Sequence, residues 1–168
     1  MKHLNSLLFV ICIICVACGK TDDPKLAFKK GDYETAYILL LPLAEQGDPD
    51  AQNYLGIQYS LGLGVDQDYK KALDWFGRAA KAGLPDAQSN YGDMFNYGYG
   101  VPKDNYQAFI WYFAASQQGH EKAKIQMDAI SALGHISPNK QMHAKLKANS
   151  FIPDPNLHFM SHDTYIKK

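Results

Sequence analysis

The feature that most limits how this chain can fold is an internal repeat with a period of 36 residues. The dipeptide Ala51-Gln52 recurs 36 positions later as Ala87-Gln88. Glycines, alanines, aspartates and tryptophans match at the same offset: Gly56/Gly92, Gly62/Gly98, Gly64/Gly100, Asp68/Asp104, Ala72/Ala108, Trp75/Trp111, Ala79/Ala115 and Gly83/Gly119. A period of this length is typical of arrays in which each unit buries its apolar face against the next unit. The sequence therefore predicts a stacked array instead of one closed globular core.

Each repeat unit predicts a pair of helices. The second helix of a pair begins after Asp68, whose carboxylate can accept hydrogen bonds from the free N–H groups of the first turn. Its apolar residues recur at the spacing of one helix face: Ala72, Trp75, Phe76, Ala79 and Ala80. Gly83 predicts the end of this helix, and Pro85 is placed in the first turn of the next one, as Pro49 is one repeat earlier after its cap Asp48.

The first helix of each pair carries its own packing face. Ala51, Leu55 and Tyr59 lie at four-residue steps and define the side that faces the neighbouring helices. Gly56 lowers helix propensity by about 1 kcal/mol, which predicts that a neighbouring helix approaches closely there. Gly62 and the equivalent glycines allow the positive φ angles of the turn between the two helices.

The segments 51–65 and 68–83 resemble Sel1-like repeats, and 87–119 repeats the pattern. The resemblance covers about residues 31–134 and extends more weakly to about 148. It implies a tetratricopeptide-like, all-α, right-handed α-solenoid of antiparallel helix pairs, whose members mostly bind other proteins. The predicted organisation is a half-repeat (25–50), two repeats (51–86 and 87–122), a degenerate cap (123–148) and a flexible C-terminal tail (149–168).

The predicted cap departs from the repeat pattern. Asp128 stands at the position of Gly92, Ile136 at that of Gly100, and Lys147 at that of Trp111. The last helix, opened by Ser137-Pro138, therefore loses its packing stripe after Leu146, and three lysines are expected to make its outer side polar: Lys140, Lys145 and Lys147. Such a cap closes the exposed end of a solenoid.

The N-terminus carries an apolar run, Leu7 to Ala17, preceded by Lys2. At about 11 residues it is too short to span a bilayer permanently, and it is typical of an export signal. The three cysteines at 12, 15 and 18 have a spacing that could bind a metal on a polar loop, but the run supplies no polar ligands, so we expect no metal there.

The end of this run, Val16-Ala17-Cys18-Gly19, resembles the lipobox of bacterial lipoproteins, with Cys15 where leucine is usual. The resemblance implies a signal peptide at 1–17, fatty acylation (palmitate) of Cys18, and a tether over 18–24. Several acyl chains would anchor the protein to a membrane. Gly19 favours the outer membrane, facing the periplasm. An ordinary secretory signal or an uncleaved anchor are the alternatives.

Charge and chemistry exclude several function classes. The chain holds 17 basic and 17 acidic residues, so no net charge attracts nucleic acid. No phosphate-binding glycine loop and no catalytic nucleophile can be assembled, and we predict no enzyme activity and no cofactor. His158 and His162 have metal-ligand spacing but are interpreted as incidental. His120 and His135 are expected to be solvated. Four aromatic residues are expected in the core: Trp75, Phe76, Trp111 and Tyr112.

The side of the first helices opposite the packing face is the predicted partner-binding surface, on the concave side of the array. Its candidate residues are Asn53, Ile57, Ser60, Leu61, Ser89, Asp93, Asn96 and Tyr97. We predict a lipid-anchored scaffold that binds a protein partner there. The alternatives are an immunity protein that neutralises a periplasmic toxin and, third, an enzyme acting on the cell wall.

Overall fold

The computed structural model describes residues 22–153, which form eight α-helices and one 3-10 helix and contain no strand. The helices are α1 (Pro24–Lys29), α2 (Tyr33–Glu45), α3 (Pro49–Leu61), α4 (Tyr69–Lys81), α5 (Pro85–Tyr97), α6 (Asn105–Ser116), α7 (Glu121–Ala132) and α8 (Pro138–Ala148), followed by the 3-10 helix Asn149–Phe151. The predicted all-α solenoid is confirmed. The predicted signal peptide and Cys18 lie outside the described residues.

Helix starts follow the predicted capping chemistry. The Asp48 carboxylate accepts a hydrogen bond from the backbone N–H of Ala51 at 2.9 Å, and Asp68 caps α4 in the same way. Pro49 and Pro85 are the first residues of α3 and α5. The helix pairs therefore begin two residues before the predicted boundaries at 51 and 87, because proline fits the first turn of a helix.

Paired helices approach closely at two glycines. A Cβ on Gly56 would lie 2.5 Å from the ring carbons of Phe76, and a Cβ on Gly92 would lie 2.7 Å from Tyr112. The two rings therefore sit where a side chain would otherwise be. The predicted close approach at Gly56 is confirmed, and it sets the spacing between α3 and α4 and between α5 and α6.

The core is built largely from alanines and aromatic rings. The predicted packing residues Ala51, Leu55 and Tyr59 are buried, as are Phe76, Tyr112 and Trp111. Trp75 departs from the prediction because it is only partly buried. Its ring lies against the exposed Arg78 guanidinium at 4.6 Å, whereas Trp111 is covered by Phe151.

The last two helices do not repeat the intact pairing. Both α7 and α8 pack mainly against α6, with Ala144 and Ala148 as the buried residues of α8. Asp128 replaces the glycine that lets paired helices approach, which explains why α7 and α8 separate. The outer side of α8 is also less polar than predicted, because Met142 and Leu146 are 61% and 65% exposed.

Both ends of the array differ from the predicted boundaries. Asp23 caps α1 by accepting hydrogen bonds from Lys25 and Leu26, so the tether predicted to reach residue 24 ends before this cap. The tail predicted to be flexible from residue 149 is ordered through residue 153, because Phe151 packs on Trp111. Residues 154–168 lie outside the described range. No helix between residues 22 and 153 is both long and apolar enough to cross a bilayer.

Candidate partner-binding groove

A groove lies between α3 and α5 and is also lined by Tyr69 and Phe76 of α4. Its volume is about 290 Å³. It is lined by Ile57, Ser60, Leu61, Tyr69, Phe76, Asn90, Asp93, Met94 and Tyr99. We call this site the α3–α5 groove. It lies across the junction of the two intact repeats, so its shape depends on how those repeats stack.

The rim of the groove exposes large apolar side chains. Leu61 is 63% exposed, Tyr97 52% and Tyr99 42%. The rings of Tyr69 and Tyr99 are stacked with centroids 4.9 Å apart, and Tyr97 and Tyr99 are 5.7 Å apart. Tyrosine and similar rigid rings provide contact area with little loss of side-chain entropy, which suits them to binding a protein surface.

The turn after α5 holds Tyr99 in place. The flanking glycines Gly98 and Gly100 have φ angles of +76° and +71°, which favour glycine. A Cβ on Gly100 would lie 2.6 Å from the backbone oxygen of Tyr69. Glycine therefore lets this turn rest directly on the start of α4, and that contact brings Tyr99 onto the ring of Tyr69.

Asp93 provides the polar wall of the groove. One carboxylate oxygen accepts a hydrogen bond from the Tyr112 hydroxyl at 2.6 Å, and the other accepts one from the Lys122 ammonium at 2.7 Å. Burial, together with this hydrogen bond to Asp93, raises the pKa of Tyr112 well above its usual range. Tyr112 therefore stays protonated and keeps the Asp93 carboxylate oriented as an acceptor beside the aromatic rim.

Two of the predicted surface residues lie inside the array. Asn53 is 7% exposed and Ser89 only 1%. The Asn53 side-chain oxygen accepts a hydrogen bond from Asn90 at 3.0 Å, which joins α3 to α5. The prediction that these two side chains line an open surface is wrong, because a first helix packs both against its pair partner and against the second helix of the preceding repeat.

The other predicted residues are placed as follows. Ile57, Ser60, Leu61 and Asp93 lie together in the groove, Tyr97 lies beside Tyr99 on the rim, and Asn96 is partly buried. Sequence reasoning missed five lining residues: Tyr69, Phe76, Asn90, Met94 and Tyr99. For Tyr99 a signal existed, because the equivalent residue in the preceding repeat is Leu63 and the turn therefore differs between repeats.

The histidines are placed differently from one another. His120 was expected to be solvated, but its side chain is only 18% exposed, because its Nδ1 accepts a hydrogen bond from the Ala123 N–H and caps α7. His135 is exposed. His158 and His162 lie outside the described residues. Within residues 22–153, no three histidine, cysteine, aspartate or glutamate side chains are grouped as a metal site would require.

Comparison with known proteins identifies the repeat. The Sel1 repeat family matches residues 23–48, 49–84 and 85–120. A Sel1 repeat protein from Oxalobacter formigenes is similar in structure, with 34% identity and a TM-score of 0.63 over 66% of this chain and 46% of that one. A protective antigen from uropathogenic Escherichia coli strains shows the same fold at 22% identity and a TM-score of 0.72, over 86% of this chain and 33% of that one.

This chain thus spans less than half of the length of either solved protein. No curated protein sequence matches it. Three tandem family matches coincide with the first three helix pairs, which are the pairs whose glycines and alanines set the packing. The chain belongs to the Sel1 repeat family.

Proposed function

We propose that this protein is a lipid-anchored scaffold that faces the periplasm and binds another protein through the α3–α5 groove. Sel1 repeat arrays commonly mediate protein interactions. The observation that supports the proposal is the combination of an exposed aromatic and aliphatic rim with one oriented carboxylate in the same groove. In many protein interfaces, a few rigid apolar side chains near a polar contact contribute most of the binding free energy.

The size of the groove supports a protein ligand. A volume of about 290 Å³ is at the small end for sites that enclose a whole small molecule. It is sufficient for one or two side chains that project from a larger partner. The exposed rim residues Leu61 and Tyr97 extend the contact surface beyond the groove itself.

The N-terminal sequence supports anchoring close to a membrane. Cys18 follows an apolar export signal, and the capped start of α1 at Asp23 leaves only four residues between them. An extended segment of this length reaches less than about 20 Å. The array would work near the membrane surface, where it could hold a partner in the envelope.

The groove is tested by comparing two variants in a pull-down from envelope extract and then in a binding titration. The combined change Ile57→Ala, Leu61→Ala and Tyr97→Ala should weaken binding by a few kcal/mol, because it removes the apolar anchors. The matched control, Lys70→Ala with Lys81→Ala, changes exposed residues outside the groove and should bind like the parent.

Both variants should retain the circular dichroism spectrum of the parent. Equal affinity for the triple variant and the control would place the partner elsewhere on the protein. The identity of the retained protein distinguishes a scaffold from an inhibitor, since an inhibitor would retain a secreted toxin.

The anchor is tested by Cys18→Ser. This change removes the thiol that would carry the lipid, so the protein should leave the washed membrane fraction or accumulate as a longer precursor. The parent chain, fractionated in parallel, is the control. A variant that is processed normally and stays membrane-bound would rule out the lipid anchor.

A further inference from the structure

The C-terminal segment that contains Phe151 and Pro153 binds to three residues of the second and third family repeats. The Phe151 ring lies 4.4 Å from the Trp111 ring, centroid to centroid. The Gln88 side-chain amide donates a hydrogen bond to the Phe151 carbonyl at 2.7 Å. Pro153 lies over Gly83, where an added Cβ would be 2.4 Å from the proline Cγ. Tryptophan, glutamine and glycine therefore hold an aromatic residue, its carbonyl and a proline two residues later.

The same three residues occur one repeat earlier as Trp75, Gln52 and Gly47. The two glutamines share one contact: the Gln52 amide donates to the Ala44 carbonyl at 3.0 Å, and the Gln88 amide donates to the Ala80 carbonyl at 3.2 Å. Gln88 is held further, because its side-chain oxygen accepts a hydrogen bond from the Gln118 amide at 2.8 Å. The two glycines have similar φ angles, +96° at Gly47 and +92° at Gly83. The earlier set therefore keeps the glutamine contact and the glycine backbone conformation of the occupied one.

Among residues 22–153, no segment occupies the earlier set as Phe151 and Pro153 occupy the later one. In the part of the chain that the structure describes, nothing lies within 4 Å of where a Cβ on Gly47 would be, and Trp75 is partly exposed. The Arg78 guanidinium lies 4.6 Å from the Trp75 ring centroid. Arg78 is itself exposed and pairs with Asp74 at the surface, and such pairs hold a side chain only weakly.

Open space lies beside the earlier set. A cavity of about 540 Å³ between the α2–α3 and α4–α5 junctions is lined by Asp48, the neighbour of Gly47, and by Gly83 and Pro153 of the occupied set. Ala82 lines it at the position where Gln118 stands in the next repeat. The smaller side chain leaves room for an incoming segment.

The charges beside the two sets of tryptophan, glutamine and glycine differ. Glu45 and Asp48, beside the earlier, open set, correspond to Lys81 and Leu84 beside the later, occupied set. Both acidic side chains are exposed. The open position is therefore complementary to a basic segment, because opposite charges at an exposed edge favour association and register.

We propose that Trp75, Gln52 and Gly47 form a second binding site, for an extended segment of a partner protein with an aromatic residue, a proline two residues later and a basic residue next. The aromatic ring packs on Trp75, its carbonyl accepts from Gln52, and the proline lies on Gly47. This site is separate from the α3–α5 groove and does not depend on it.

The sequence of the chain itself argues against its own tail as the occupant. If the segment from Phe151 to Pro153 moved to the earlier set, the next residue, Asp154, would come close to Asp48 and be repelled by it. The next aromatic residue along the chain, Phe159, is followed two positions later by Ser161 and not by proline. A partner with a basic residue after the proline meets neither obstacle.

The test uses a synthetic peptide, Asn-Ser-Phe-Ile-Pro-Lys, and the full chain carrying Trp111→Phe, so that Trp75 is its single tryptophan. Titration should shift the Trp75 fluorescence in a saturable way. Replacing the peptide phenylalanine with alanine should weaken binding at least about tenfold, the usual effect of removing an aromatic anchor. Replacing the peptide lysine with aspartate should weaken it several-fold. Calorimetry with the unmodified chain provides a second measurement that needs no substitution in the protein.

Two protein variants complete the test. Trp75→Leu should abolish binding with helical content unchanged, whereas the triple groove variant (Ile57→Ala, Leu61→Ala, Tyr97→Ala) should bind the peptide like the parent. Equal binding of the phenylalanine and alanine peptides, or peptide binding that leaves Trp75 emission unchanged, would overturn the proposal. So would tighter peptide binding by Phe159→Ala, because it would show that the chain's own tail fills the site.

Discussion

The two intact repeats share their packing residues but differ in what covers them. In the first repeat, Trp75 is partly exposed beside the Arg78 guanidinium. In the second, Trp111 is only 4% exposed and packs between Tyr91 and Phe151, with ring centroids 5.0 Å and 4.4 Å away. The repeated sequence therefore sets the contacts inside a repeat, while the position in the array decides which outer surfaces are covered.

The second helices of the two repeats show the same contrast. The helix α4 exposes a charged side with Lys70, Asp74 and Lys81, whereas α6 is buried on most sides because α7 and α8 both pack against it. The helix α6 thus forms the centre of the C-terminal half. Within the described residues, α4 therefore exposes more of its surface than α6 does.

The largest expected difference between the repeats is the effect of removing each tryptophan. Trp111→Ala should lower the free energy of unfolding by about 3–5 kcal/mol, the range for a large aromatic residue in a core. Trp75→Ala should cost clearly less, because part of that ring already contacts solvent. Urea unfolding followed by circular dichroism measures both, and equal losses would show that position in the array does not matter.

A second prediction concerns a contact that both repeats share. Gly56→Ala should destabilise the protein by about 1–3 kcal/mol, because the new methyl group overlaps the Phe76 ring and the core must shift. Gly92→Ala should behave similarly against Tyr112. The control is Gly77→Ala, where the Cβ would be 3.1 Å from Tyr91 and the gain in helix propensity offsets a smaller overlap. The melting temperature of the Gly77→Ala control should be well above that of Gly56→Ala.

The third prediction concerns the Phe151 side chain, which covers Trp111 in the second repeat. Phe151→Ala should cost about 1–2 kcal/mol, less than full burial of a phenylalanine, and should expose Trp111 to water. In a Trp75→Phe background, the Trp111 emission should move to longer wavelength. Ser150→Ala changes an exposed neighbour and should leave the emission as it is. An unshifted spectrum for Phe151→Ala would mean that the segment does not cover Trp111 in solution.

The smallest expected effect is an alkaline loss of stability on the first repeat. Burial, followed by the hydrogen bond between the Tyr59 and Tyr37 hydroxyls, raises the pKa of Tyr59 from 10.0 to about 12. The folded state therefore keeps this proton when the unfolded chain has lost it. The resulting contribution to stability is complete below pH 10 and is lost as the pH rises towards 12. Tyr59→Phe should flatten the fall in stability between these values, as measured by unfolding at several pH values.

Local rules explain why much of the fold could be predicted. The caps Asp48 and Asp68, the first-turn prolines and the glycine at 56 act within a repeat or between paired helices, so their meaning can be read from a short stretch of sequence. The buried face of α3 followed from the four-residue spacing of Ala51, Leu55 and Tyr59. The periodic positions were predictable because the neighbour that each one meets is another copy of the same unit.

The features that could not be predicted depend on where a residue lies in the array. Asn53 and Ser89 lie on the predicted helices, but their burial follows from the helices that pack on both sides of them and not from the helix itself. Tyr99 lies in the turn between two helices, and its stacking on Tyr69 depends on the packing of that turn on another helix. Phe151 lies 63 residues from its hydrogen-bond partner Gln88, and no periodic pattern connects the two.

The bond between Gln88 and the Phe151 carbonyl also affects how the array unfolds. A solenoid whose units touch only their neighbours can lose helices one unit at a time from either end. Here the chain returns from beyond α8 to α5, so opening the C-terminal end requires that this long-range contact break first. The segment from α5 to Phe151 should therefore open as one cooperative unit, with slow and uniform amide hydrogen exchange. The short helix α1 is joined to α3 by the exposed ion pair between Lys25 and Asp50 and by the Phe28–Tyr54 ring contact. It lies at the end of the array and should exchange first.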